Sequence, residues 1–502
     1  MGRYVKQRWM DKESSGIVMP LFSLWSQYGI GTMKKAAFEF VDWLESAGQH
    51  YWQVLPMNHT DEANCPYQCY SAVAGNPLFI DLDDLVERGL LGKDYLKNKE
   101  VRFSSEKVEY KEVKEFHYQI LRVAFKNCSQ EIISKVRLFC SENDGWIRDY
   151  SLFMALTNYY NKPLWEWDES IKRRDPVAMS FFERELKDDI EFYKFVQFIF
   201  FDQWKNLRAY ASAKGIKIIG DIPFYPSPNS CDVWVNPTMF KVDKDLVTTS
   251  VAGVPPDVFS KTGQRWGNPV YDWEALKEDG FKWWIDRVRY TLKMFDIIRL
   301  DHFRAFQDYY EIPAEEETAV NGKWVPGPRE ELFNALYASL GEVPFIAEDL
   351  GIIGDDVREL LKKVGFPGMA VLAFAFEGDR NSLYLPHNWA KNKIGYTSTH
   401  DSETFIQMLN RINEDDRAFA LNYIDAYGST EALGFRVIRA AFKSPALLVM
   451  VMAPDLLSMG EEGRINVPGT VIKNWQWRTR KDAFNSLLAK KLREITETYK
   501  RA

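Results

Sequence analysis

Three acidic residues each follow a short apolar run of the kind that makes a buried strand, and that recurrence restricts the folds open to this chain. They are Asp301 in Asp296-Ile-Ile-Arg-Leu-Asp301, Glu348 in Phe345-Ile-Ala-Glu348 and Asp401 in Ile394-Gly-Tyr-Thr-Ser-Thr-His-Asp401. A fourth run, Ile216-Lys-Ile-Ile-Gly-Asp221, also ends in an acid. Strands this short and apolar, alternating with helical periodicity, belong to parallel sheets covered by helices. In a (β/α)8 barrel the carboxyl ends of the strands are where reactive side chains gather. An isolated acid after a strand more commonly caps a helix or pairs with an arginine. Three in barrel order favour chemistry. Two carboxyl groups about 5 to 5.5 Å apart cleave a glycosidic bond with retention, one attacking and the other donating and then removing a proton. A third acid can hold sugar hydroxyls while positive charge develops.

The alternation runs along most of the chain. Met33, Ala37, Phe40, Val41 and Leu44 recur at helical spacing, Gly48 stops the helix, and a strand is predicted over 51–56. A long helix over 188–214 leads through Gly215 to the strand ending at Asp221, and a helix over 281–295 leads to the strand ending at Asp301. Strands follow at 345–347, 369–374, 394–398 and 446–452, with a helix over 355–364 and a polar helix from 482. The pattern predicts an α/β fold: one elaborated (β/α)8 TIM barrel over 1–502, with inserted subdomains around the active-site mouth and no C-terminal β domain. Three insertions are expected. Residues 83–144 form a helical one, with Val113, Phe116, Ile120 and Val123 on one face; 223–280 are rich in Pro, Gly, Asn and Ser and read as a loop-rich lid; 305–340 read as a further loop insertion.

Charge and composition exclude several classes of partner. A net charge of −7 without a basic block gives no footprint for nucleic acid or an anionic membrane. No run approaches 18 apolar residues and residues 1–10 lack an apolar leader segment, so a cytoplasmic location is expected. The five cysteines have no framework spacing, and Cys65 and Cys69 lack a second Cys or His pair, so no metal is implied. Gly29-Ile-Gly31-Thr32 lacks the lysine of a phosphate loop, and no cofactor is implied. Aromatic residues are 15% of the chain, a supply of rings for sugar faces, although most will be core.

The motifs then become specific. Tyr28-Gly-Ile-Gly31, Trp52-Gln-Val-Leu-Pro56, Gly253-Val-Pro-Pro-Asp257, Gly263-Gln-Arg-Trp-Gly-Asn-Pro269, Arg299-Leu-Asp-His-Phe-Arg304, Ala347-Glu-Asp-Leu-Gly351, Thr399-His-Asp401, Asn466-Val-Pro-Gly-Thr470 and Asn474-Trp-Gln-Trp-Arg478 occur in this order. The ordered set resembles the 4-α-glucanotransferases of glycoside hydrolase family 77, and it runs nearly end to end. The resemblance implies retaining transfer of α-1,4-glucan segments between maltooligosaccharides, with Asp301 as nucleophile, Glu348 as acid/base and Asp401 as transition-state stabiliser. A hydrolase using the same carboxylates, and a glucan-binding protein without turnover, are the alternatives.

The resemblance also implies substrate-binding positions. His302 and His400 adjoin two of the acids and match donor-site histidines; Tyr67, after Pro66, matches an acceptor-side aromatic; Asp257, Gln264, Trp266 and Asn268 lie on the loop that arches over the family's site. Asp221 resembles the acid after the third strand, which organises the site. Arg299, two residues before Asp301, shares its face on an extended strand and is placed to favour an ionised nucleophile. Asp349 points the other way and serves the scaffold. Four residues depart from the family pattern: Cys65 and Ala305, Arg329 where Gly is usual, and Ser402 where Asn is usual. None removes a reacting group.

Overall fold

The computed structural model describes residues 9–99, 102–257, 260–351 and 353–502. Its strands in chain order are β1 (Ser14–Val18), β2 (Tyr51–Gln53), β3 (Lys217–Ile222), β4 (Ser250–Val254), β5 (Gln264–Pro269), β6 (Ile297–Leu300), β7 (Asp308–Pro313), β8 (Lys323–Pro326), β9 (Phe345–Ala347), β10 (Met369–Val371), β11 (Ile394–Tyr396) and β12 (Leu448–Met452). Eight of them form one parallel sheet in the order β10-β11-β12-β1-β2-β3-β6-β9. A parallel bridge between Ala347 and Gly368, with Ala347 N donating to Pro367 O at 2.9 Å, brings β9 round to the residue before β10. The sheet is a (β/α)8 barrel, and β6, β9 and β11 are its fourth, fifth and seventh strands.

Strand β1 has no apolar run to announce it, because Ser14, Ser15 and Gly16 fill three of its five positions. All five residues are buried, and a Cβ on Gly16 would meet Tyr51 O at 2.4 Å. Close approach of the first two barrel strands therefore requires glycine there.

Between β2 and β3 the chain is helical well past residue 144. The helices Tyr110–Lys126, Gln130–Glu142 and Asp144–Tyr160 pack with Lys187–Ala213, whose buried Phe192, Phe195, Phe198 and Ile199 recur at helical spacing. The spans 223–280 and 305–340 also hold more order than their composition announces. Strands β4 and β5 from the first and β7 and β8 from the second make one antiparallel sheet, β5-β4-β7-β8, over a small core of Val251, Tyr310, Ile312 and Ala319. Gly253 allows the approach of β4 to β5, since a Cβ there would lie 2.1 Å from Gln264 O. Among the described residues no helix is long and apolar enough to cross a membrane.

The departure at Arg329 has a conformational cost. Arg329 opens the helix Arg329–Leu340 with φ of 52°, in the left-handed region that suits glycine. Strain of about 1 to 2 kcal/mol for a side chain there outweighs the roughly 0.5 to 1 kcal/mol that glycine's extra freedom costs. Arg329→Gly is expected to raise the unfolding free energy by up to about 1 kcal/mol, read as a denaturant or thermal midpoint; a lowered midpoint would show that the Arg329 side chain contributes more than its strain costs.

Candidate active site

Barrel register brings the acids together. Asp221 pairs with Arg299 across β3 and β6, and Leu300 pairs with Ala347 across β6 and β9. The ladder continues past the strand ends, with Asp301 N donating to Ile222 O at 3.2 Å and Glu348 N donating to Leu300 O at 3.0 Å. Asp301 and Glu348 therefore emerge on neighbouring strands at the carboxyl end of the barrel.

Arg299 is 4% exposed and lies inside the barrel. Its Nη1 donates to both oxygens of Asp221 at 2.8 Å and to Asp301 Oδ1 at 3.0 Å. The alternation expected of Arg299 and Asp301 on one strand face is what permits the second contact. Burial raises the Asp221 pKa and the Arg299 charge opposes it.

Glu348 makes its hydrogen bonds to the backbone. Its Oε2 accepts from His302 N at 2.8 Å and its Oε1 from Leu350 N at 2.9 Å. Asp349, on the other face, accepts from Met369 N at 2.6 Å and pairs with Lys393, so it anchors β10. Desolvation pushes the Glu348 pKa up to about 8; Arg299 and the two backbone N–H groups oppose this and the Asp301 charge adds to it.

Asp401 follows β11 on a loop and has 47% of its side chain exposed to the cleft. Asn466 Nδ2 donates to its Oδ1 at 2.6 Å, and His400 Nε2 lies 3.2 Å from its Oδ2. The protein around it exerts a desolvation penalty, but His400, Asn466 and Arg299 together overcome this and hold the pKa down at about 2.

A chain of polar contacts links Asp401 to Asp301. Tyr67 OH donates to Asp221 Oδ2 at 2.8 Å, so it accepts from His400 Nε2 at 2.9 Å, which places a proton on that nitrogen. The rings of Tyr67 and His400 stack with centroids 5.3 Å apart, and Trp475 lies 5.8 and 6.0 Å from them.

The antiparallel sheet meets the barrel mouth at Trp266, whose ring stands edge-on to His302 at 5.0 Å. Burial lowers the His302 pKa to about 4, and its buried Nε2 has no hydrogen-bond partner among the described residues. Trp266 Nε1 donates to Gln264 Oε1 at 3.1 Å. Asn268 is committed to the scaffold: it accepts from Gln68 Nε2 and donates to Pro226 O, both at 2.8 Å. Asp257 is exposed on the loop after β4, its Oδ1 accepting from Ser260 N at 2.7 Å. Among the described residues no group of three or more His, Cys, Asp or Glu side chains is placed to hold a metal ion.

This geometry can be set beside known proteins. Residues 19–483 match the family model described as 4-alpha-glucanotransferase, of glycoside hydrolase family 77. The chain belongs to that family. A 4-alpha-glucanotransferase of Clostridium butyricum is 43% identical over 490 residues, covering 96% of this chain and 100% of that one. One from Aquifex aeolicus is 44% identical over 471 residues, covering 93% and 96%. Among solved structures, the amylomaltase of Streptococcus agalactiae in complex with acarbose superposes with a TM-score of 0.95 at 38% identity, over 98% of this chain and 100% of that one.

Two further residues of this glucanotransferase-family site have contacts that no local motif announces: Asn466 and Trp475 reach Asp401, Tyr67 and His400 across chain separations of 65 residues or more.

The raised pKa of Glu348 has a consequence for stability. A carboxyl whose pKa is higher in the folded protein than in the unfolded chain contributes stability that is fully present below its ordinary value of 4.5 and is lost as pH rises through about 8. Glu348→Gln lacks that titration. The wild-type protein should therefore lose stability relative to Glu348→Gln between about pH 5 and 8, measured as unfolding midpoints of both across that window. A difference independent of pH would show that Glu348 is not held protonated.

Proposed function

We propose that this 4-alpha-glucanotransferase works by retaining double displacement on α-1,4-linked glucans, with Asp301 as nucleophile and Glu348 as acid and then base. The observation that carries this reading is the contrast between two neighbouring carboxyls. Asp301 faces the guanidinium of Arg299, while Glu348 is desolvated and held protonated near neutral pH. Asp301 attacks the anomeric carbon as Glu348 protonates the leaving glycosidic oxygen. The shortened glucan departs, and the 4-hydroxyl of a second glucan attacks the glycosyl-enzyme while Glu348 removes its proton.

Asp401, ionised and open to the cleft, is suited to hold sugar hydroxyls as charge develops at the anomeric carbon. The unpartnered Nε2 of His302 is suited to a hydroxyl of the donor sugar. His400 and Tyr67 offer a stacked aromatic wall, and their polar atoms fix each other and Asp221. Asp257 and Trp266 are read as contacts from the overlying segment, Asn268 as the residue that ties this segment down. The acarbose complex of the Streptococcus agalactiae amylomaltase supports α-glucans as the ligand class. The expected location is cytoplasmic.

Transfer and hydrolysis differ only in what intercepts the intermediate. Maltotriose alone should give glucose together with longer oligosaccharides; products confined to glucose and maltose, with one new reducing end per bond cleaved, would identify a hydrolase. Asp301→Asn should abolish turnover of every donor, whereas Glu348→Gln should retain far more activity on a glycosyl fluoride than on maltotriose, because fluoride leaves with little help from an acid. The rate on maltotriose should also fall above about pH 8 as Glu348 ionises, and this limb should be weaker with the fluoride donor. Equal losses on both donors for both variants would overturn the assignment.

Trp266 is placed to exclude water. Trp266→Ala should raise hydrolysis relative to transfer on maltotriose, measured as reducing-end gain against glucose release. A lowered melting midpoint with the ratio unchanged would assign Trp266 to packing alone.

A further inference from the structure

One buried carboxylate makes three hydrogen bonds among the described residues, all at the two feet of the loop that carries His400 and Asp401. Asp455 lies just past β12 and is 2% exposed. Its Oδ2 accepts from Thr397 Oγ1 and from Ser398 Oγ, each at 2.6 Å, and its Oδ1 accepts from Phe405 N at 2.8 Å. Thr397 and Ser398 leave β11, and Phe405 begins the helix Phe405–Arg411, so one side chain grips the loop 399–404 where it departs and where it returns. Thr397 Oγ1 also accepts from Met452 N at 3.0 Å, which joins the same foot to β12.

The loop between the feet is braced locally. Thr399 N donates to Ser402 Oγ at 2.9 Å and Ser402 N to Thr399 Oγ1 at 3.1 Å, which is how the departure at Ser402 is accommodated. Thr404 Oγ1 accepts from Gln407 N at the helix start and donates to Gly460 O, both at 3.1 Å. The brace fixes the shape of the loop, and Asp455 fixes where that shape sits on the barrel.

Asp455 has no ion pair among the described residues; burial raises its pKa, and the two hydroxyls and the amide of Phe405 oppose this. Burying a carboxylate without a cation is costly, and a neutral side chain would fill the same space at lower cost. What the carboxylate adds is two oxygens that accept three donors at once, from two segments seven residues apart or more.

We propose that Asp455 is a positioning residue for glucan transfer, acting through Asp401 by clamping both feet of its loop. The proposal rests on the reading of Asp401 as the group that stabilises the transition state. A shift of about 1 Å in such a group can cost on the order of 100-fold in rate. Asp455→Asn keeps the shape and removes the charge, and should lower kcat on maltotriose by roughly 10- to 100-fold with KM changed by less than about threefold. The deciding measurement is a double-mutant cycle with Asp401→Asn, using a glycosyl fluoride donor so that slow variants remain measurable. If Asp455 acts through Asp401, Asp401→Asn/Asp455→Asn should be no slower than Asp401→Asn alone.

Losses that multiply, or a lowered melting midpoint with kcat unchanged, would overturn the clamp. Near wild-type activity in Asp401→Asn would instead overturn the reading of Asp401, and the clamp with it. Should Asp455→Asn fail to fold, Ser398→Ala removes one donor from the same oxygen and is read in the same cycle: a kcat loss that vanishes in the Asp401→Asn background supports the proposal, and one that persists there overturns it.

Discussion

A guanidinium buried inside the barrel is the constraint on which the site depends. Arg299 is almost completely removed from water, and a charge so placed is tolerable only when it is paired and its donors are satisfied. Asp221 meets that need with both oxygens, and the two residues are direct partners across β3 and β6. An apolar pair would stabilise the barrel as well or better. The charged pair instead supplies a fixed cation beneath Asp301, and Asp221 in turn orients the Tyr67 hydroxyl and, through it, His400. Strands four and seven, far apart in sequence, are thereby joined by a polar network that includes two of the three acids.

The same barrel gives its neighbouring acids opposite surroundings. Asp301 lies against the guanidinium, Asp401 against His400 and Asn466, and Glu348 has, among the described residues, backbone N–H groups alone within hydrogen-bond distance of its oxygens. The Arg299 charge and two backbone donors do not offset the desolvation of Glu348, whereas His400, Asn466 and Arg299 together do offset that of Asp401. The difference between Glu348 and Asp401 follows from which side chains each strand end receives.

Much of this was legible because it is local. A short apolar run followed by an acid locates a strand end, so β3, β6, β9 and β11 and their acids could be placed from sequence. Strand β1 was not, because close packing against Tyr51 demands glycine and the serines beside it carry no hydrophobic signal. The small antiparallel sheet was read as two loops, since its pairing of β4 with β7 joins segments some 60 residues apart. Side-chain roles faded for the same reason. Asn268 sits in a motif that suggests a sugar contact, yet its amide is used by Gln68, 200 residues away. The ring of Tyr67 was visible as a platform, but the bond to Asp221 that fixes its hydroxyl spans 154 residues.

The long-range pairings also bear on why the overlying segment sits where it does. Strand β5 holds Trp266, and it is tied to the barrel by Asn268 through Gln68 and Pro226 and to β7 through β4. β7 itself follows within a few residues of His302 in sequence, by way of the short helix Arg304–Gln307. The segment that follows Asp301 therefore builds part of the sheet that carries Trp266. Trp266 and Asp301 are near one another in the fold, because Trp266 stands edge-on to His302, one residue from Asp301. The segment that holds Trp266 thus takes its position in part from the chain that leaves β6 at Asp301.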